Sequence, residues 1–74
     1  MKVRWLLTGV TVNGDREFYE ELGYLTAEEA TSKSSVLLQT LTANPRIHQC
    51  WLFYEQDDSV GSGTMLWKRP SKPA

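Results

Sequence analysis

An α+β fold, with a four-stranded, mostly antiparallel sheet and one helix packed on one face in ββαββ order, is predicted by three features of the chain. A strand-like run ends at Asn13-Gly14, a helix-capping motif opens at Thr26, and a further strand-like run, Arg46 to Glu55, the third strand, follows the stop at Asn44-Pro45. Stacking one helix on one sheet is the compact way to bury the apolar faces of such elements.

Lys2 to Val12 is rich in β-branched and large apolar residues, and Asn-Gly tolerates the positive φ angles of a type I′ hairpin turn. Pairing across a two-residue loop sets Trp5 opposite Leu22, Val3 opposite Tyr24 and Gly9 opposite Phe18. Opposed residues share a face, so Val3, Trp5, Leu7, Phe18, Leu22 and Tyr24 are expected on one apolar surface. Phe18, Leu22 and Leu25 also fit a short helix over Glu17–Leu25, but turn chemistry and pairing agree on the strand. Thr26-Ala27-Glu28-Glu29 reads as a capping box, with Leu25 placed as a hydrophobic staple. Ala27, Ala30, Ser34, Leu37, Leu38 and Leu41 then recur on one helical face. The Thr31–Ser35 stretch has poor helix propensity, so packing on the sheet must supply the stability. Asn44 ends the helix, because the residue before proline is pushed out of the α region.

Cys50-Trp51-Leu52-Phe53-Tyr54 is apolar on both faces, the mark of a central strand. Gln56 to Gly63 reads as a polar loop, and Thr64 to Lys68 as the last strand before Pro70. A single domain over residues 1–69 and a disordered tail over 70–74 are expected.

The 74 residues are 41% hydrophobic and 23% charged, with eight Lys+Arg against nine Asp+Glu for a formal net charge of −1. That balance argues against a tail that neutralises many phosphates. Cys50 is the one cysteine and cannot close an internal disulfide, which favours a reducing, cytoplasmic setting. No run approaches the roughly 18 apolar residues of a membrane span.

Reactive constellations are sparse. His48 and Cys50 lie two apart on one strand face, without a third group to orient the imidazole or donors for an oxyanion. They are too few for a closed zinc site. Val60 to Thr64 is glycine-rich but lacks the lysine and following helix of a phosphate loop. No catalytic residue, cofactor site or metal site is expected.

The feature that bears on function is surplus apolar surface. One helix covers one sheet face, and the second face collects Leu6, Val10, Val12 and Tyr19. Either Cys50, Leu52, Tyr54 and Leu66 or Trp51, Phe53, Met65 and Trp67 join them, depending on the phase of the last two strands. Drawn with Leu52, Tyr54 and Leu66, this patch is the expected partner-binding surface, since contiguous apolar patches tend to mark interaction sites. Glu17, Glu20 and Glu21, within the acidic stretch from Asp15 to Glu29, add an edge able to steer a basic partner. The expected activity is non-enzymatic: a module that occupies a surface on a protein partner as inhibitor or adaptor, and that self-associates through the uncovered face. Small size and the absence of catalytic groups also fit a phage or mobile-element inhibitor of host machinery, such as an anti-CRISPR protein, as the category expected. The alternative is single-stranded nucleic-acid binding through Arg4, Trp67, Lys68 and Arg69, which combine aromatic and basic side chains.

Overall fold

The computed structural model describes residues 2–56, 59, 60 and 63–70. Strands β1 (Val3–Val10) and β2 (Arg16–Leu25) precede helix α1 (Ala27–Ala43), followed by β3 (Gln49–Gln56), β4 (Ser59–Val60) and β5 (Thr64–Lys68). All pairings are antiparallel in the order β2-β1-β3-β4, and β5 also pairs with β3. Segments β4 and β5 follow one another along the edge of β3 that faces away from β1, so the sheet is four positions wide. The α+β class and ββαββ order are therefore as the sequence predicts, with β3 central. Ser59 and Val60 add a short pairing where a continuous loop was expected, and residues 71–74 of the expected tail lie outside the described residues.

The first hairpin is where the expected register needs correction. Gly9 does face Phe18, and Leu6 to Gly9 hold the register of a two-residue loop. The loop itself is longer: the Thr11 amide donates to the Asp15 carbonyl (2.8 Å) and the Gly14 amide to the Thr11 carbonyl (2.9 Å), leaving Val12, Asn13 and Gly14 between the closing pair. Gly14 has φ 87°, as a type I turn closed by a left-handed residue requires. A bulge at Glu17 absorbs the difference and a second at Leu22 shifts the register by one more residue, each bulged residue being left without a cross-strand partner. Gly23, at φ 104°, allows the second bulge. Beyond it Trp5 faces Gly23, Val3 faces Leu25 and Arg4 faces Tyr24, so Tyr24 leaves the expected apolar surface and is 71% exposed. Leu22 stays in the core, and its carbonyl accepts from Lys33 Nζ at 3.0 Å.

Helix α1 forms as its signals require. The Thr26 hydroxyl accepts from the Glu29 amide (3.2 Å), and the Glu29 carboxylate accepts from the Thr26 amide (2.9 Å). These bonds, with Lys2 nearby, hold the Glu29 carboxyl below its ordinary pKa. Ala30, Ser34 and Leu41 are buried, while Ala27 lies exposed. The buried Ser34 hydroxyl donates to the Ala30 carbonyl (2.7 Å), so the small side chain permits close packing without leaving a polar atom unpaired. The helix lies on β2, β1 and β3, closing a core of Leu7, Leu22, Ala30, Leu41, Ile47, Cys50 and Leu52. An Asx turn at Asn44, whose side chain accepts from the Arg46 amide (3.0 Å), delays β3 to Gln49, three residues later than expected.

The C-terminal end of α1 has no basic residue in its last turn. Arg69, just past β5, supplies the charge: its guanidinium donates to the carbonyls of Thr42 (3.3 Å), Asn44 (2.9 Å) and Ile47 (2.9 and 3.0 Å), and lies 4.9 Å from the centre of the Trp67 ring. Hydrogen bonds to a charged group contribute about 1.5–3 kcal/mol net. Arg69→Ala is thus expected to lower the unfolding free energy by about 2 kcal/mol in urea titration, with Arg69→Lys recovering only part because it lacks the forked donor. A loss below about 0.5 kcal/mol would contradict this role for Arg69.

Candidate functional site

The two sheet faces differ in what covers them. Odd-numbered positions of β1 face the helix, and even-numbered positions face the other way. On β3 the pairing with β1 puts Cys50 and Leu52 under the helix, with Tyr54 against Trp5 on the same side (ring centroids 5.6 Å apart). A bulge at Leu66 in β5 keeps Trp67 opposite Cys50 and Met65 opposite Trp51, and both Leu66 and Trp67 pack on the core. Leu52, Tyr54 and Leu66 therefore belong to the helix side and not to the expected partner surface. Trp51, Phe53 and Met65 take their places on the open face, beside Leu6, Val10 and Tyr19, which lie where the sequence put them. Val12 stands apart on the hairpin loop, 71% exposed.

The open face is a shallow trough of about 690 Å³, lined along its middle by Leu6, Thr8, Tyr19, Trp51 and Phe53. Trp51 and Phe53 are stacked, with centroids 6.2 Å apart and ring planes 20° from parallel. The Trp51 indole N–H donates to Gln49 Oε1 at 3.0 Å, which fixes the ring across the sheet. Phe53 lies over Gly63, where a Cβ would collide with the ring, so a glycine just before the last strand makes room for the aromatic floor. Leu6 and Thr8 are nearly covered by these neighbours, whereas Tyr19 and Met65 remain 47% and 45% exposed.

Charge is arranged at the two ends of this band. At one end Arg4 on β1 bridges Glu21 on β2 and Glu55 on β3, donating to Glu55 Oε1 at 3.1 Å, so two carboxylates share one cation. At the other end Arg16 lies 4.9 Å from the Tyr19 ring centre, and Lys68 pairs across from Gln49.

The acidic edge does not act as one field. Glu21 binds Arg4, Glu17 binds Arg46 on the helix side (3.1 Å), Glu29 is occupied by the cap, and Glu20 lies opposite Leu7, exposed at the sheet edge. The residues of the nucleic-acid alternative are likewise separated. Arg4 is ion-paired on the open face, Trp67 packs on the core from the helix side, Arg69 is bound to backbone carbonyls, and Lys68 is left exposed beside Gln49. Sequence reasoning missed Thr8, Arg16, Gln49 and Glu55 on the open face. Their common signal is alternation in β1 and β3, readable once the phase of β3 is known.

His48 is half-buried, and its backbone is tied on both sides, to Val10 and to Arg69. Cys50 is fully buried, and burial pushes its thiol above the ordinary pKa, with the charge of Arg69 offsetting only part. Among the described residues no group of three or more His, Cys, Asp or Glu is placed to hold a metal ion, and no helix is long and apolar enough to cross a membrane. Alkylation of Cys50 at neutral pH is expected to be slow in the folded protein and fast in denaturant, followed by mass spectrometry. Rapid native labelling would contradict the burial of the thiol.

Comparison with family models, with curated proteins and with solved structures finds no match to this chain.

Proposed function

We propose that the protein is a non-enzymatic, cytoplasmic protein-binding module that works by occupying a partner's surface with its open sheet face. The observation that carries this reading is the band of Tyr19 and Met65, about half exposed, with the partly exposed rings of Trp51 and Phe53 between them over buried Leu6, a face that the helix does not cover. Large aromatic and methionine side chains held on a rigid sheet give contact area at little cost in conformational entropy, and such residues are enriched at the centres of interfaces. The Trp51–Gln49 hydrogen bond and the Phe53–Gly63 contact hold the two central rings in place, a preorganisation that favours tight docking. A chain of 74 residues presenting one such surface suits an inhibitor or adaptor that blocks by contact, the class to which many phage and mobile-element inhibitors of host machinery, anti-CRISPR proteins included, belong.

The test is site-specific photocrosslinking in cells. A photoreactive phenylalanine at Met65, on the open face, is expected to capture protein partners, and Phe53→Asp should abolish capture. The same probe at Val36, 71% exposed on the helix, should capture none. Crosslinking from Val36 alone, or quenching of tryptophan fluorescence by single-stranded oligonucleotide that is lost in Trp51→Ala, would overturn the proposal.

A further inference from the structure

The layout of charge on the open face is self-complementary, and we propose that its occupant, when no tighter partner is bound, is a second copy of this chain docked face to face with its strands reversed. The inference rests on the reading of that face as a binding surface. A two-fold axis lying between the sheets and perpendicular to the strands places β2 over β2 and β3 over β3, with the two ends exchanged. The end where Glu21 and Glu55 share Arg4 then meets the end carrying Arg16 and Lys68. The match holds on both sides of the face. Glu21 and Arg16 both lie on β2, and Glu55 on β3 meets Lys68 on β5, the strand beside it. Trp51 and Phe53 fall near the middle and meet their symmetry mates, closing the apolar band. The other two-fold, parallel to the strands, would set carboxylates against carboxylates and cations against cations, which like-charge repulsion disfavours.

Strand spacing and rise give the face a plan of roughly 19 by 24 Å, about 450 Å². That is small beside the ~800 Å² per partner of a standard interface, so the pair is a weak one that a better-fitting partner displaces. Its association also weakens as salt screens the end contacts.

Sedimentation of the full chain over a concentration series, at low and high salt, tests this. A monomer–dimer equilibrium that weakens with salt is expected. Arg16→Glu with Lys68→Glu should weaken it about tenfold or more, as should Glu21→Lys with Glu55→Lys, and mixing the two variants should restore association as a heterodimer. If the Lys variant fails to fold, with Arg4 then facing two cations, the Glu variant and the salt series decide alone. A wild-type monomer throughout, or a dimer indifferent to charge reversal, would overturn the inference. A monomer whose position 65 still crosslinks foreign protein sinks only the dimer, whereas a monomer that crosslinks nothing removes the binding surface as well.

Discussion

One helix cannot cover both faces of a sheet, and the rest of the structure follows from how that constraint is met. A 17-residue helix is about 26 Å long and ~10 Å across, against a sheet about 19 Å wide. Here the helix closes one core over β2, β1 and β3, and small residues at Ala30, Ser34, Gly9 and Cys50 bring it and Ile47 close to the strands. Everything apolar that alternates to the other side remains outside that core. Burial of apolar surface stabilises by roughly 25 cal/mol per Å², so the half-exposed Tyr19 and Met65 and the still exposed parts of Trp51 and Phe53 retain a driving force for association.

The covered side is fastened at its ends by polar contacts. The capping box starts α1, Lys33 reaches back to the bulge carbonyl of Leu22, and Arg69 closes the far end by bringing a cation to a helix terminus that has none of its own. These contacts consume residues that looked available for a ligand. Arg69 and Trp67 combine charge and aromatic surface in sequence, yet one is bound to backbone carbonyls and the other packs against the core. The open face keeps the opposite character: its central rings are positioned by neighbours but only partly covered, and its charges stand at the two ends of the band.

The parts that were legible in the sequence are those governed by local chemistry. Thr26 and Glu29 announce the cap, Asn44-Pro45 the stop, and a run apolar on both faces the central strand. The phase of β3 was not legible for the same reason that its position was: with Cys50 to Tyr54 all apolar, no alternation distinguishes its faces. A single-residue slip exchanges the two faces, which is how Leu52, Tyr54 and Leu66 come to lie under the helix while Trp51, Phe53 and Met65 face out. The bulge at Glu17 follows from the length of the hairpin loop, and those at Leu22 and Leu66 depend on partners further along the chain. Gly23 was the available clue, since glycine inside a strand often marks a bulge. The role of Arg69 depends on a contact more than twenty residues away in sequence and leaves no local trace.

The division between a closed and an open face can be tested directly with fluorine NMR of protein carrying 5-fluorotryptophan, each of the three resonances assigned by single substitution. Trp5 and Trp67 pack on the core, and Trp51 stands on the open face. The account predicts that only the Trp51 resonance shifts as a partner or a second copy is titrated in, while the other two stay fixed. Equal movement of Trp5 and Trp67, or a Trp51 resonance that never responds, would contradict it.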